Sequence, residues 1–210
     1  VASTKAFVSQ LIVLSLFALN LARGRGLSLE AGKDLTEALL ALPEQVRGIL
    51  KRKGEIEKIA KNYADTRDFL FIGRKLNYAT ALEGALKLKE ISYVHAEGTS
   101  AGEMKHGPLA MIDKDFPTVA IAPEDSVHEK MISNMEEIKA RSGRIFAILT
   151  EGDSKTAERV DDAFFIPKTS EYLTPVLAVI PLQLFAYYVA LAKGLPIDKP
   201  RNLAKSVTVE

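Results

Sequence analysis

Apolar and polar residues alternate along this chain in two different ways, and the change comes near residue 65. Before it, Leu, Val and Ile recur at three- and four-residue spacing among Lys and Glu, which predicts amphipathic helices. We place three such helices here, at residues 4–22, 27–43 and 44–64. No strand pattern occurs in this part, so we expect a helical lead-in to a following α/β unit and no separate domain.

After residue 65, short apolar runs alternate with helical segments. The runs that predict strands are residues 68–73, 118–122, 145–150 and 163–166. The segments that predict helices are 76–94, 126–141 and 174–193, with Ser126 and Glu129 as a capping box for the second. We interpret residues 96–108 as a glycine-rich connection and the residues after 194 as an extended tail.

Strands that are apolar at every position are typical of a sheet covered by helices on both faces. The sequence therefore predicts an α/β fold, with a doubly wound, mainly parallel sheet. The uncharged stretch 173–192 is long enough to cross a bilayer. Pro175, Pro181 and Gln183 interrupt it, and we interpret it as a buried helix.

Composition narrows the classes of function. The chain has 210 residues, with 28 basic and 27 acidic side chains and no cysteine. A net charge of +1 gives no general attraction to nucleic acid or to an anionic membrane, so we expect neither partner. The absence of cysteine excludes thiol nucleophiles and iron–sulfur clusters within these residues and fits a reducing compartment such as the cytoplasm.

Charged residues form a stripe on the helix predicted at 76–94. Glu83, Lys87 and Glu90 share one face at about 100° per residue, with apolar residues on both sides. One interpretation is a solvated row of ion pairs, each worth about 0.2–0.5 kcal/mol. The other is a partly desolvated carboxylate and lysine that transfer protons.

Two further residues suggest chemistry, and each has a simpler alternative. His106 lies in a loop shaped by Gly107 and Pro108, where it can act as an acid or base or bond its own loop. Lys205 has apolar neighbours, which can lower the pKa of a lysine and make its amine nucleophilic, but composition alone favours an ordinary solvated lysine. The three histidines have no metal-ligand spacing, and no dinucleotide or P-loop motif is present, so we expect no metal and no cofactor.

The ends of two predicted strands carry polar residues, at Gly73–Arg74 and Thr150–Asp153. Ligands often bind at the carboxyl ends of parallel strands. Without a recognised motif, both are interpreted as ordinary tight turns.

Three stretches of the chain resemble the glutamine–fructose-6-phosphate aminotransferase (isomerizing) family, also called glucosamine-6-phosphate synthases. They are VASTKAF at 1–7, ALEGALKLKEISYVHAEGTSAGEMKHGPLAMI at 81–112 and PRNLAKSVTVE at 200–210. The central stretch is common to sugar isomerase (SIS) domains, whereas the last is more specific to the synthases. This resemblance implies a homodimeric enzyme that binds fructose 6-phosphate and forms glucosamine 6-phosphate with ammonia from a glutaminase domain.

The resemblance also implies roles for individual residues. Lys205 would form a Schiff base with the ketose, Glu90 would carry the proton between C1 and C2, and Lys87 would stabilise the enolamine. His106 would open the sugar ring in the neighbouring subunit's active site. Contacts to the sugar would come from Val1, Ser3 and Ala204.

This sequence lacks an N-terminal cysteine and the S-x-S-x-x-T phosphate loop of these enzymes. We therefore expect the carboxyl-terminal part of the isomerase region: residues 1–26 as the last helix of a first SIS lobe, 27–194 as the second lobe and 195–210 as the active-site tail. Two alternatives stay open: an ammonia-dependent glucosamine-6-phosphate deaminase or deglycase, and a non-catalytic sugar-phosphate-binding module.

Overall fold

The computed structural model describes residues 2–204, so Val1 and Lys205 lie outside the described residues. Seven α-helices are described: α1 (Lys5–Arg23), α2 (Leu29–Lys51), α3 (Lys53–Lys61), α4 (Leu76–Ser92), α5 (His128–Lys139), α6 (Ser154–Ala157) and α7 (Thr174–Ala192). The five strands are β1 (Asp68–Gly73), β2 (His95–Ser100), β3 (Thr118–Ala122), β4 (Ile145–Thr150) and β5 (Asp162–Ile166). Short 3₁₀ helices occupy Ala101–His106, Pro108–Met111 and Glu171–Leu173.

The strands form one sheet in the order β2-β1-β3-β4-β5, and every neighbouring pair is parallel. Successive residues of a strand point to opposite faces, and both faces here are covered. Phe69 and Phe71 pack with α3, α4 and α7, whereas Leu70 and Ile72 pack with α5 and Met104 of the first 3₁₀ helix. The predicted α/β class and doubly wound parallel sheet are confirmed.

The core helix is α7, which is apolar on all sides and buried over most of its length. It packs against α3 and α4, and its residues belong to the same core cluster as Phe69 and Phe71. Two described helices, Lys5–Arg23 and Glu171–Ala192, are long and apolar enough to cross a membrane. Two-thirds of the apolar window in the second is buried inside the fold, as predicted, whereas none of the window in α1 is buried.

The interpretation of residues 96–108 as a connection is wrong, because β2 begins at His95 and pairs along β1 from Asp68↔His95 to Gly73↔Ser100. Only Ala96 of this edge strand is buried. The strand is therefore specified by backbone hydrogen bonds to β1, and it has no apolar run that a sequence pattern could reveal.

Two predicted helix boundaries are also wrong. Helix α2 runs through Pro43, because Leu42 and Ile49 are both buried against the core and their packing offsets the hydrogen bond that proline removes. Helix α5 begins at His128 without a side-chain cap. Ser126 instead contacts Lys75 through its hydroxyl and donates its backbone N–H to Glu171.

Candidate active site

A lysine and two carboxylates form a compact cluster near the end of α4. The Lys87 Nζ lies 2.5 Å from Glu90 Oε2 and 3.4 Å from Glu83 Oε1. These contacts follow from helix geometry, because residues three and four positions apart lie on one face. The Lys87 side chain is only 3% exposed, against 11% for Glu83 and 21% for Glu90. A solvated row of surface ion pairs is therefore the wrong interpretation.

The carboxylate oxygens of the cluster rely on one ammonium group. Glu83 Oε1 and Glu90 Oε2 are buried and contact Lys87 Nζ, with no further partner among the described residues. The charge of Lys87 therefore stabilises both carboxylates in surroundings of low exposure.

Burial dominates the electrostatics of Glu83. It raises the pKa of the Glu83 carboxyl group above its usual value, and the charge of Lys87 only partly opposes this effect. Two carboxylates and one ammonium give the cluster a formal charge of −1. A carboxylate and an ammonium held side by side at low exposure are the groups that a proton transfer next to a carbonyl needs.

The position of the cluster follows from the connection between β1 and β2. Helix α4 starts just after the carboxyl end of β1 and ends just before β2, so it runs antiparallel to the strands. Glu90 consequently lies toward the amino edge of the sheet, about 21 Å along the helix axis from Leu76.

The two strand ends that carried polar residues are ordinary turns, as interpreted. Arg74 donates from Nε to Asn134, and a Cβ at Gly73 would lie 2.1 Å from the Asn77 oxygen, so only glycine fits that turn. Thr150 and Asp153 accept backbone N–H groups from Glu124 and Thr156.

The structure places His106 away from the cluster. The 3₁₀ helix that contains it packs through Met104 on the α5 face of the sheet, opposite α4. Lys105 of the same turn pairs with Glu137 of α5 at 3.0 Å, and the His106 side chain is 76% exposed. Within one chain, His106 is therefore separated from Lys87 and Glu90 by the sheet.

The remaining predicted sugar contacts lie at the two ends of the described chain. Ser3 precedes α1 and is exposed, and Ala204 is exposed at the end of the tail. The tail itself is bound at the end of α4, where the backbone N–H of Arg201 donates to the Tyr93 hydroxyl at 2.7 Å. The tail segment just before Lys205 is thus bound to Tyr93, which follows Glu90 by three residues in the sequence.

The sequence pattern placed Glu83 in the charged stripe without giving it a role, and it did not indicate Tyr93. The i,i+4 spacing of Glu83 and Lys87 already contained the signal for the first. The contact between Tyr93 and Arg201 spans 108 positions and has no local signal in the sequence.

Comparison with known proteins relates this geometry to a family. Residues 62–193 match the family model described as SIS domain. The whole chain is 50% identical to a glutamine–fructose-6-phosphate aminotransferase (isomerizing) of Chlorobaculum tepidum, and 51% identical to that of Synechocystis sp.. It covers 34% of either protein, so it spans about a third of the length of these curated relatives.

The fold of this chain is also similar to solved structures. The C-terminal domain of glucosamine–fructose-6-phosphate aminotransferase from Francisella tularensis superposes with a TM-score of 0.88 at 40% identity, over 94% of this chain and 56% of that one. A glucosamine-6-phosphate deaminase from Thermotoga maritima gives a TM-score of 0.71 at 24% identity, over 99% of this chain and 57% of that one. The second likeness concerns the fold alone.

Proposed function

This chain belongs to the SIS domain family, and we propose that it is the second SIS lobe and active-site tail of a glutamine–fructose-6-phosphate aminotransferase (isomerizing). Fructose 6-phosphate is the proposed substrate and glucosamine 6-phosphate the product, in the cytoplasm, without a membrane or nucleic-acid partner. The observation that carries the proposal is the buried Glu83–Lys87–Glu90 cluster, in which one ammonium group contacts two carboxylates.

The proposed chemistry starts at the ketose carbonyl. The amine of Lys205 attacks C2, and loss of water gives an imine. Ammonia then replaces the lysine at C2, which frees the Lys205 amine and leaves the protonated imine of ammonia. The Glu90 carboxylate removes a proton from C1, and the electron pair of that C–H bond forms the C1=C2 double bond of an enolamine while the C=N electron pair moves to nitrogen. Glu90 returns its proton to C2, and the C1 hydroxyl loses its proton, which leaves an amine on C2 and an aldehyde at C1. The Lys87 ammonium, 2.5 Å from Glu90, stabilises the negative charge that develops beside it.

Residues 1–26 support the proposed domain division. In α1, large apolar side chains are turned toward solvent, at Val13, Leu14, Leu16 and Phe17, each more than half exposed. An apolar face of this kind is typical of a helix that packs against a further domain. We propose that it belongs to the preceding SIS lobe, that residues 27–194 are the second lobe, and that a glutaminase domain supplies ammonia.

The proposed enzyme is a homodimer, because His106 would have to act in the partner subunit. Its exposed side chain lies on the sheet face opposite α4, so a second copy is needed to bring it to a sugar bound at Glu90. Val1, Ser3 and Ala204 are proposed to contact that sugar.

The alternative of a deaminase or deglycase has weaker support. The relatives at about 50% identity carry the aminotransferase name, whereas the deaminase structure is only 24% identical. A non-catalytic sugar-phosphate-binding module would have no use for a buried carboxylate and ammonium at 2.5 Å.

The substitution Glu90→Gln in the full-length enzyme tests the proposal. It keeps the shape of the side chain but removes the base, so exchange of the C1 proton of fructose 6-phosphate with solvent should fall by at least about 100-fold. Binding of fructose 6-phosphate, measured by calorimetry, should change little. Exchange at the wild-type rate would contradict the role of Glu90.

A further inference from the structure

The tail after α7 is fastened to the end of α4 by one aromatic side chain. Tyr93 directly follows α4 and has a left-handed backbone, with φ at +57°. Its hydroxyl oxygen accepts the backbone N–H of Arg201 at 2.7 Å. The guanidinium carbon of Arg201 also lies 4.2 Å from the centre of the Tyr93 ring. One residue therefore binds both the backbone and the side chain of the tail.

The tail reaches Tyr93 along a defined course. Leu195 and Ile197 pack against the core, and Pro200 is buried. Just beyond Arg201, Asn202 has a left-handed backbone with φ at +61°, which sets the direction of the chain. The contact with Tyr93 thus lies between a packed segment and a fixed turn.

Tyr93 is close in sequence to Glu90, and it contacts a residue that is close in sequence to Lys205. Glu90 precedes Tyr93 by three residues, which is less than one turn of helix. Lys205 follows Arg201 by four residues, a separation that an extended chain spans with at most about 14 Å. Through Arg201, the Tyr93 side chain therefore links α4 to the residues just before the lysine.

We propose that Tyr93 is a positioning residue that fixes the tail carrying Lys205 relative to Glu90. This inference rests on the proposed function, since the lysine and the carboxylate need a defined separation only if they act on one sugar. A small misplacement of reacting groups lowers the rate strongly, so the anchor should affect chemistry more than substrate binding.

Borohydride trapping of the imine on Lys205 measures this positioning in the full-length enzyme. With radiolabelled fructose 6-phosphate, Tyr93→Phe removes only the acceptor oxygen and should slow trapping about three- to tenfold, the effect of one net hydrogen bond. Tyr93→Ala also removes the ring and should slow trapping further. The KM for fructose 6-phosphate should change less than twofold in Tyr93→Phe, which a general loss of structure would not produce.

Variants of Arg201 and Tyr172 distinguish this positioning role from a general effect on folding. Arg201 is exposed in the tail, so Arg201→Ala should slow trapping in a folded protein, and Arg201→Lys should recover part of the rate by returning a cation to the ring. Tyr172→Phe removes a hydroxyl from a tyrosine that is 66% exposed and should trap at the wild-type rate.

The outcomes separate this inference from the proposed function. If the wild-type enzyme forms no trapped adduct, the proposed function and the inference both fail. If the wild type forms the adduct and Tyr93→Phe forms it equally fast, the role of Tyr93 is overturned and the proposed function stands.

Discussion

At the scale of single residues, burial determines how the charged side chains of α4 interact and titrate. Lys87 has almost no contact with solvent, so its ammonium group depends on the carboxylates of Glu83 and Glu90 for stabilisation. The arrangement leaves Glu83 with a raised pKa, because desolvation outweighs the attraction of the single lysine. A carboxyl group with a raised pKa makes stability depend on pH in a defined direction.

The substitution Glu83→Gln tests that direction. The folded wild type holds the Glu83 proton more tightly than the unfolded chain does, so its stability should fall as pH rises from about 4, through the usual carboxyl pKa, toward neutrality. The glutamine variant has no carboxyl group at this position, so it does not lose stability in this way as the pH rises. Urea unfolding at pH 4 and pH 7 should therefore show the variant gaining stability relative to the wild type at the higher pH.

The matched control is Glu57→Gln, which removes the i,i+4 partner of Lys61 from an exposed pair. Its effect on stability should stay within about 0.5 kcal/mol at both pH values. An equal pH dependence in the two variants would show that burial of Glu83 is not the cause.

At the scale of elements, two glycines allow α4 to lie close to its neighbours. A Cβ at Gly84 would lie 2.8 Å from Leu182 of α7 and 3.0 Å from Phe71 of β1. A Cβ at Gly98 of β2 would lie 2.8 Å from the Leu82 backbone of α4. The helix that carries the charged cluster is thus held by close contact on two sides.

Gly84→Ala should consequently destabilise the chain by about 1–3 kcal/mol, because the added methyl group overpacks a filled interface. Gly48→Ala is the matched comparison, since Gly48 lies inside α2 with nothing within 4 Å of the added Cβ. There alanine should stabilise the chain by up to about 1 kcal/mol, through its better helix propensity. Chemical denaturation measures both, and a stabilising Gly84→Ala would contradict the packing argument.

At the scale of the whole molecule, the sheet separates residues that the proposed mechanism needs together. His106 lies on the α5 face, whereas Lys87 and Glu90 lie on α4 at the other face. A complete site would then require two copies of the chain, each supplying a different part.

Mixing two inactive variants tests this arrangement. Subunits with His106→Ala should be combined with subunits carrying Lys205→Arg, and dimers should be allowed to exchange. Random pairing gives half heterodimers, each with one intact site if His106 serves the partner subunit, so activity should return to about a quarter of wild type. Activity that stays at the level of the separate variants would place both residues in one subunit's site.

The sequence by itself determined what depends on local pattern. The apolar runs at β1, β3 and β4 predicted buried strands of a parallel sheet, because residues enclosed on both faces are mostly apolar. The run at β5 predicted a further strand, which is partly buried at the edge of the sheet. The helical spacing of Lys87 and Glu90 predicted their proximity, because residues on one helix face meet whatever the tertiary structure. The resemblance to SIS domain enzymes was also confirmed from the sequence.

Only the tertiary structure decided features that depend on distant partners. Strand β2 exists because β1 offers backbone hydrogen bonds, and α2 continues through Pro43 because Leu42 and Ile49 have a core to enter. The burial of Lys87 and the contact of Tyr93 with Arg201 likewise arise from residues far away in the chain. These features are stabilised by packing and hydrogen bonding between residues far apart in the chain, so a local sequence pattern does not predict them.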